Sequence, residues 1–152
     1  MKIKEITEVG VAVRNLELAT KQFVELLGAQ PGEIVTMEPY QMRFRMCRVG
    51  NVDFELMEPM GDGGVIADFL KKRGEGLHHI AFAVEDIEKG MNTLTEKGVR
   101  FVSDAPMEMH GEMIDKSGKK VSGIGKFTFS VPKSLAGILF EFIEYPKNYV
   151  FP

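Results

Sequence analysis

Glu8, Glu55, His79 and Glu141 stand at matching places in a sequence that repeats itself. Glu8 and His79 each open an alternating apolar run, Glu8-Val9-Gly10-Val11-Ala12-Val13 and His79-Ile80-Ala81-Phe82-Ala83-Val84. Glu55 and Glu141 each follow a phenylalanine, in Phe54-Glu55-Leu56-Met57-Glu58-Pro59 and Phe140-Glu141-Phe142-Ile143-Glu144-Tyr145-Pro146. Side chains of a strand point alternately to its two faces. Val9, Val11, Val13, Ile80, Phe82 and Val84 therefore fall on a helix-covered face, leaving Glu8, Gly10, Ala12, His79, Ala81 and Ala83 on the other. The same sorting separates Glu55, Met57, Glu141 and Ile143 from Phe54, Leu56, Phe140 and Phe142. Taken singly, each glutamate reads as a solvated strand residue and His79 as a hydrogen-bonded core histidine. Their equivalence under an internal pseudo-twofold predicts that all four converge in a concave cleft. Three carboxylates and one imidazole in a partly dry cleft repel one another and lose hydration. A divalent cation relieves both costs, so Glu8, Glu55, His79 and Glu141 are the expected metal ligands.

The elements that must position these groups follow from the repeat. Each alternating run leads into an amphipathic helix, about 16–27 and 87–97, with Asn15 and Asp86 placed to cap their first N–H groups and Gly28 and Gly98 to end them. Residues 33–37, 42–49 and 51–58 read as strands in the first half, and 100–103, 123–131 and 137–144 in the second. Residues 65–72 read as a short connecting helix, while 109–120 is polar and glycine-containing and reads as a mobile loop. The expected architecture is α+β: two tandem βαβββ modules, 1–73 and 74–152, with mixed curved sheets enclosing a central cleft in a single domain.

Composition narrows the function classes. The 152 residues are 44% hydrophobic, enough for one core, and Lys plus Arg total 19 against 22 for Asp plus Glu. That balance argues against nucleic acid as a partner. No stretch reads as a signal peptide or a membrane span, so a cytoplasmic protein without membrane association is expected. Cys47 has no second cysteine to pair with and reads as a core residue. The 10 methionines suit adaptable packing or a soft apolar pocket, each one alone reading as a core residue, and a small-molecule substrate is the expected partner.

Two strings carry a family resemblance. Gly50-Asn51-Val52-Asp53-Phe54-Glu55-Leu56-Met57-Glu58-Pro59, followed by Gly74-Glu75-Gly76-Leu77-His78-His79-Ile80-Ala81-Phe82, resembles methylmalonyl-CoA epimerases of the vicinal oxygen chelate (glyoxalase/bleomycin resistance/dioxygenase) superfamily. The run from Pro132 to Glu141 resembles the last turn and strand of that family. The resemblance implies a divalent metal held by Glu55, His79 and Glu141, with Glu8 standing where the family usually has histidine. One nitrogen and three carboxylates make a hard donor set, favouring Mn, Mg or Co over Zn. The implied chemistry is proton transfer at the carbon next to a thioester carbonyl of an acyl-CoA, with Glu141 as catalytic base and a homodimer as the working form. The second acid has no clear place, Glu38 being the nearest candidate. Residues 112–120 read as an insertion after His110-Gly111, Val131 replaces a family histidine, and His78 falls on the strand face opposite His79. Those departures keep two alternatives open: another lyase or isomerase of the superfamily, or a non-catalytic small-molecule-binding protein of the same fold.

Overall fold

A computed structural model describes residues 1–151. The chain runs β1 (Lys2–Ala12), α1 (Leu16–Leu27), β2 (Gln30–Met37), β3 (Met42–Val49), β4 (Val52–Pro59), α2 (Val65–Arg73), β5 (Gly76–Glu85), α3 (Ile87–Glu96), β6 (Met107–Ile114), β7 (Lys120–Phe129) and β8 (Phe140–Glu144). Its contacts define two compact units. One is Glu8–His79; the other joins Met1–Thr7 to the chain from Ile80 onward.

In the unit Glu8–His79 the strand order is β2-β3-β4-β1, with β1 parallel to β4 and the remaining neighbours antiparallel. Helix α1 forms where expected because Asn15 Oδ1 accepts from Leu18 N at 2.8 Å and Gly28 takes the left-handed φ of 64° that ends it. Its inner face buries Leu16 and Ala19 with Val13, Cys47 and Leu56, and the half-buried Val11 and Phe54 join them. Cys47 is thus a core residue. The short helix α2 covers Ala12 and Met57 with Ile66 and Leu70, so Met57 is core and not part of an open face beside Glu55.

In the other unit the order is β5-β8-β7-β6, with β5 parallel to β8. Helix α3 buries Ile87 and Met91 against Val84 and Phe142, with Phe82, Phe101 and Phe140 around them. Val11 and Val13 of the first run and Phe82 and Val84 of the second pack against α1 and α3 as expected, whereas Ala12, expected on the cleft face, is covered by α2.

Three expectations fail here. Asp86 does not cap α3: its backbone is left-handed, φ 52°, and its side chain accepts nothing from the helix. Glu144 takes the role, its Oε2 accepting from Ile87 N at 2.7 Å. In the first unit Glu58 does the same for α1, Oε1 accepting from Leu16 N at 3.1 Å while Oε2 pairs with Arg43. Residues 109–120 are not a loop: β6 and β7 pair in register from Met107↔Phe127 to Ile114↔Lys120. The turn between them is fastened by buried Asp115, whose Oδ1 accepts from Ser117 N, Ser117 Oγ and Lys119 N at 2.9, 2.6 and 2.9 Å. The strand expected at 100–103 reduces to a single bridge, Phe101↔Ser130.

Candidate functional site

Glu55 lies on β4 and His79 ends the strand segment that belongs to the same unit. The structure brings these two together. His79 is 4% exposed, and its Nε2 lies 3.6 Å from Glu55 Oε2. The ring can sit there because β1 carries glycine at position 10: a Cβ on Gly10 would fall 2.2 Å from Nδ1 and Cε1 of His79. The space that Gly10 leaves is therefore filled by the imidazole of His79.

Parallel register sets Glu8 beside Asp53 and Gly10 beside Glu55. Glu8 and Glu55 thus share a face but stand diagonally, about 7 Å apart along the pleat. Asp53 is held by Arg48 opposite it on β3, Nε to Oδ1 at 2.8 Å and a second guanidinium nitrogen to Oδ2 at 2.9 Å. The face where the sequence suggested only carboxylates and an imidazole therefore also carries a fixed ion pair, the guanidinium of Arg48 neutralising Asp53. Nothing about Arg48 marks it in the sequence, because its role follows from the β3–β4 register.

His78 is the second residue that sequence reasoning missed. Strand alternation sets it on the face opposite His79, yet its Nδ1 lies 3.0 Å from Nδ1 of His79. The Phe69 ring of α2 meets it edge-on, centroids 5.0 Å apart. Burial pushes the pKa of His78 down to about 4, with His79 and Arg73 adding to the effect. The adjacent His-His pair was its only sequence signal.

Glu141 belongs to the other unit, on β8 between Ala81 of β5 and Phe129 of β7. Burial pushes its carboxyl up to about 8, so it carries a proton at neutral pH and exchanges it near neutrality. His110 lies exposed on β6, its Nε2 2.9 Å from Glu108 Oε2.

The His79–Glu55 pair fits a divalent cation. Two bonds of about 2.1 Å meeting at a tetrahedral angle hold their donors about 3.4 Å apart, close to the 3.6 Å found. Among the described residues no three His, Cys, Asp or Glu side chains are grouped closely enough to hold an ion as they lie.

The model of the glyoxalase/bleomycin resistance protein/dioxygenase superfamily matches residues 7–114, from β1 through β6. The chain belongs to that superfamily. Within the superfamily it is 30% identical to the mitochondrial methylmalonyl-CoA epimerase of Mus musculus, over 92% of this chain and 72% of the relative. It is 32% identical to the ethylmalonyl-CoA/methylmalonyl-CoA epimerase of Cereibacter sphaeroides, over 91% and 96% of the two chains. A variant of Streptomyces coelicolor methylmalonyl-CoA epimerase in complex with 2-nitronate-propionyl-CoA superposes with a TM-score of 0.80 at 25% identity, covering 98% of this chain and 99% of that one. This superfamily member is an enzyme of the isomerase class, epimerase-like in its relatives and in its fold. No helix of the described residues is long and apolar enough to cross a membrane.

Proposed function

We propose that this enzyme is a metal-dependent epimerase that moves a proton at the carbon between the thioester carbonyl and the carboxylate of a 2-alkylmalonyl-CoA, methylmalonyl-CoA being the simplest. The observation that carries the metal reading is the buried donor pair, His79 Nε2 and Glu55 Oε2 at 3.6 Å. Glu8, on the same face, is the candidate third donor. A bound divalent ion polarises carbonyl oxygens and lowers the cost of the negative charge that develops when the carbon is deprotonated.

The protein's own groups handle the proton. A carboxyl with a pKa of about 8 can give and take a proton at neutral pH, which suits Glu141 to one side of an epimerisation. Burial holds the carboxyl neutral until it is used. His79 and Glu55 are the groups that would orient the substrate's oxygens through the ion, and the neutral Arg48–Asp53 pair fixes β3 against β4 beside them.

The names of the relatives supply the substrate class, and deuterium supplies the test. Methylmalonyl-CoA incubated with the metal-loaded protein in heavy water should gain deuterium at C2, and Glu141→Gln should slow that exchange by at least about a hundredfold. Bound metal without exchange would favour a second reading, a lyase or isomerase of the same superfamily with another substrate. Glu8 in place of the usual histidine and the β6–β7 hairpin are the features that favour it. Absence of both metal and exchange would leave a small-molecule-binding protein.

A further inference from the structure

The group seated against His79 on the side away from Glu55 is its chain neighbour. Nδ1 of His78 and Nδ1 of His79 are 3.0 Å apart, with the rings at 86° and their centroids 5.3 Å apart. Two ring nitrogens at that distance share a single proton: one donates it and the other accepts. A neutral imidazole carries its proton on one nitrogen only, so the owner of the shared proton decides the chemistry at the far end of the His79 ring. With the proton on Nδ1 of His79, Nε2 presents a lone pair toward Glu55 Oε2, 3.6 Å away. With the proton on Nδ1 of His78, Nε2 of His79 is itself protonated and no longer a ligand. Gly10 lies directly under His79, and Phe69 braces His78 edge-on.

We infer that His78 is a positioning residue: its Nδ1 accepts the Nδ1–H of His79 and so holds His79 in the tautomer whose Nε2 can take a divalent cation. The inference rests on the reading of His79 as a metal donor. It adds to that reading a specific accepting group, an imidazole where a carboxylate or backbone carbonyl commonly serves.

The test reads the tautomer directly in the metal-free 152-residue protein at neutral pH. Long-range 1H–15N correlation spectra of the histidine rings should show His79 protonated at Nδ1 and His78 protonated at Nε2. In His78→Phe the Nδ1–H form of His79 should lose its dominance, and Mn2+ or Co2+ affinity measured by calorimetry should fall about ten- to hundredfold. His78→Asn, whose side-chain oxygen can accept the same hydrogen, should restore both. A wild-type spectrum with His79 protonated at Nε2 overturns the inference without any variant. So does a folded His78→Phe protein that keeps the Nδ1–H tautomer and the metal affinity. Failure of the metal reading is separable: a wild-type protein that binds neither ion yet loses the tautomer in His78→Phe sinks the metal and leaves the positioning role standing.

Discussion

Burial moves Glu141 and His78 in opposite directions, and the two shifts leave opposite marks on stability. Between pH 4.5 and about 8 the folded chain keeps a proton on Glu141 that the unfolded chain has released. More protons bound in the folded state means that stability falls as pH rises through this window. Between pH 6.5 and about 4 the unfolded chain protonates His78 while the folded one does not, so stability falls as pH drops. Urea unfolding of metal-free protein should show Glu141→Gln gaining on wild type by a few kcal/mol between pH 5 and pH 8, while His78→Phe flattens the acid limb. Equal pH slopes in wild type and variant would contradict the assigned surroundings. Gly10 is the other residue with no latitude. Gly10→Ala drives a methyl into the His79 ring, so it should cost about 1–3 kcal/mol and reduce metal affinity at least about tenfold, measured by unfolding and calorimetry. The alternating pattern made the His79 ring legible as a candidate site residue on the face of Glu55. It concealed His78, because alternation describes where a Cβ points and not where a long ring can reach.

At the scale of elements, local signals served well where the partner is near in sequence. Asn15 and Gly28 bound α1 as their types require, the cap acceptor lying three residues from its donor. They failed where a distant group intervenes: Glu144 reaches the start of α3 from 57 residues away, and Asp86, relieved of capping, turns left-handed. Removing that carboxylate with Glu144→Ala should cost about 0.5–2 kcal/mol and loosen the first turn of α3, read as faster amide exchange at Ile87 with the rest of the helix unchanged. The β6–β7 pair was misread for a related reason. Gly111, Gly118 and a polar composition suggest a loop, but cross-strand pairing tolerates both, and only the turn held by Asp115 is irregular. An exposed hairpin buries too little apolar surface to write a period into its sequence.

For the molecule as a whole, the duplicated first strand, helix and last strand were readable because both halves repeat those residues, while β6 of the second half was not. The site was readable only in part. The His79–Glu55 pair follows from faces, whereas the diagonal offset of Glu8 and the Arg48–Asp53 clamp follow from register, which one sequence does not contain. Glu8 is also the departure from the superfamily pattern with the clearest chemical consequence. Glu8→His would soften the donor set and should raise Zn2+ affinity relative to Mn2+; competition binding with unchanged selectivity would count against Glu8 as a donor.

The two helix-capping glutamates also bear on the order in which the chain assembles. Each acceptor arrives long after its donor, 42 residues later for Glu58 and 57 for Glu144. Ribosomal synthesis therefore makes α1 and α3 before the groups that complete their first turns, and closing loops of that length delays the contacts further. The opening turns of both helices should consequently order late on the folding route, so that substitutions at Glu58 and Glu144 accelerate unfolding and leave the refolding rate nearly untouched.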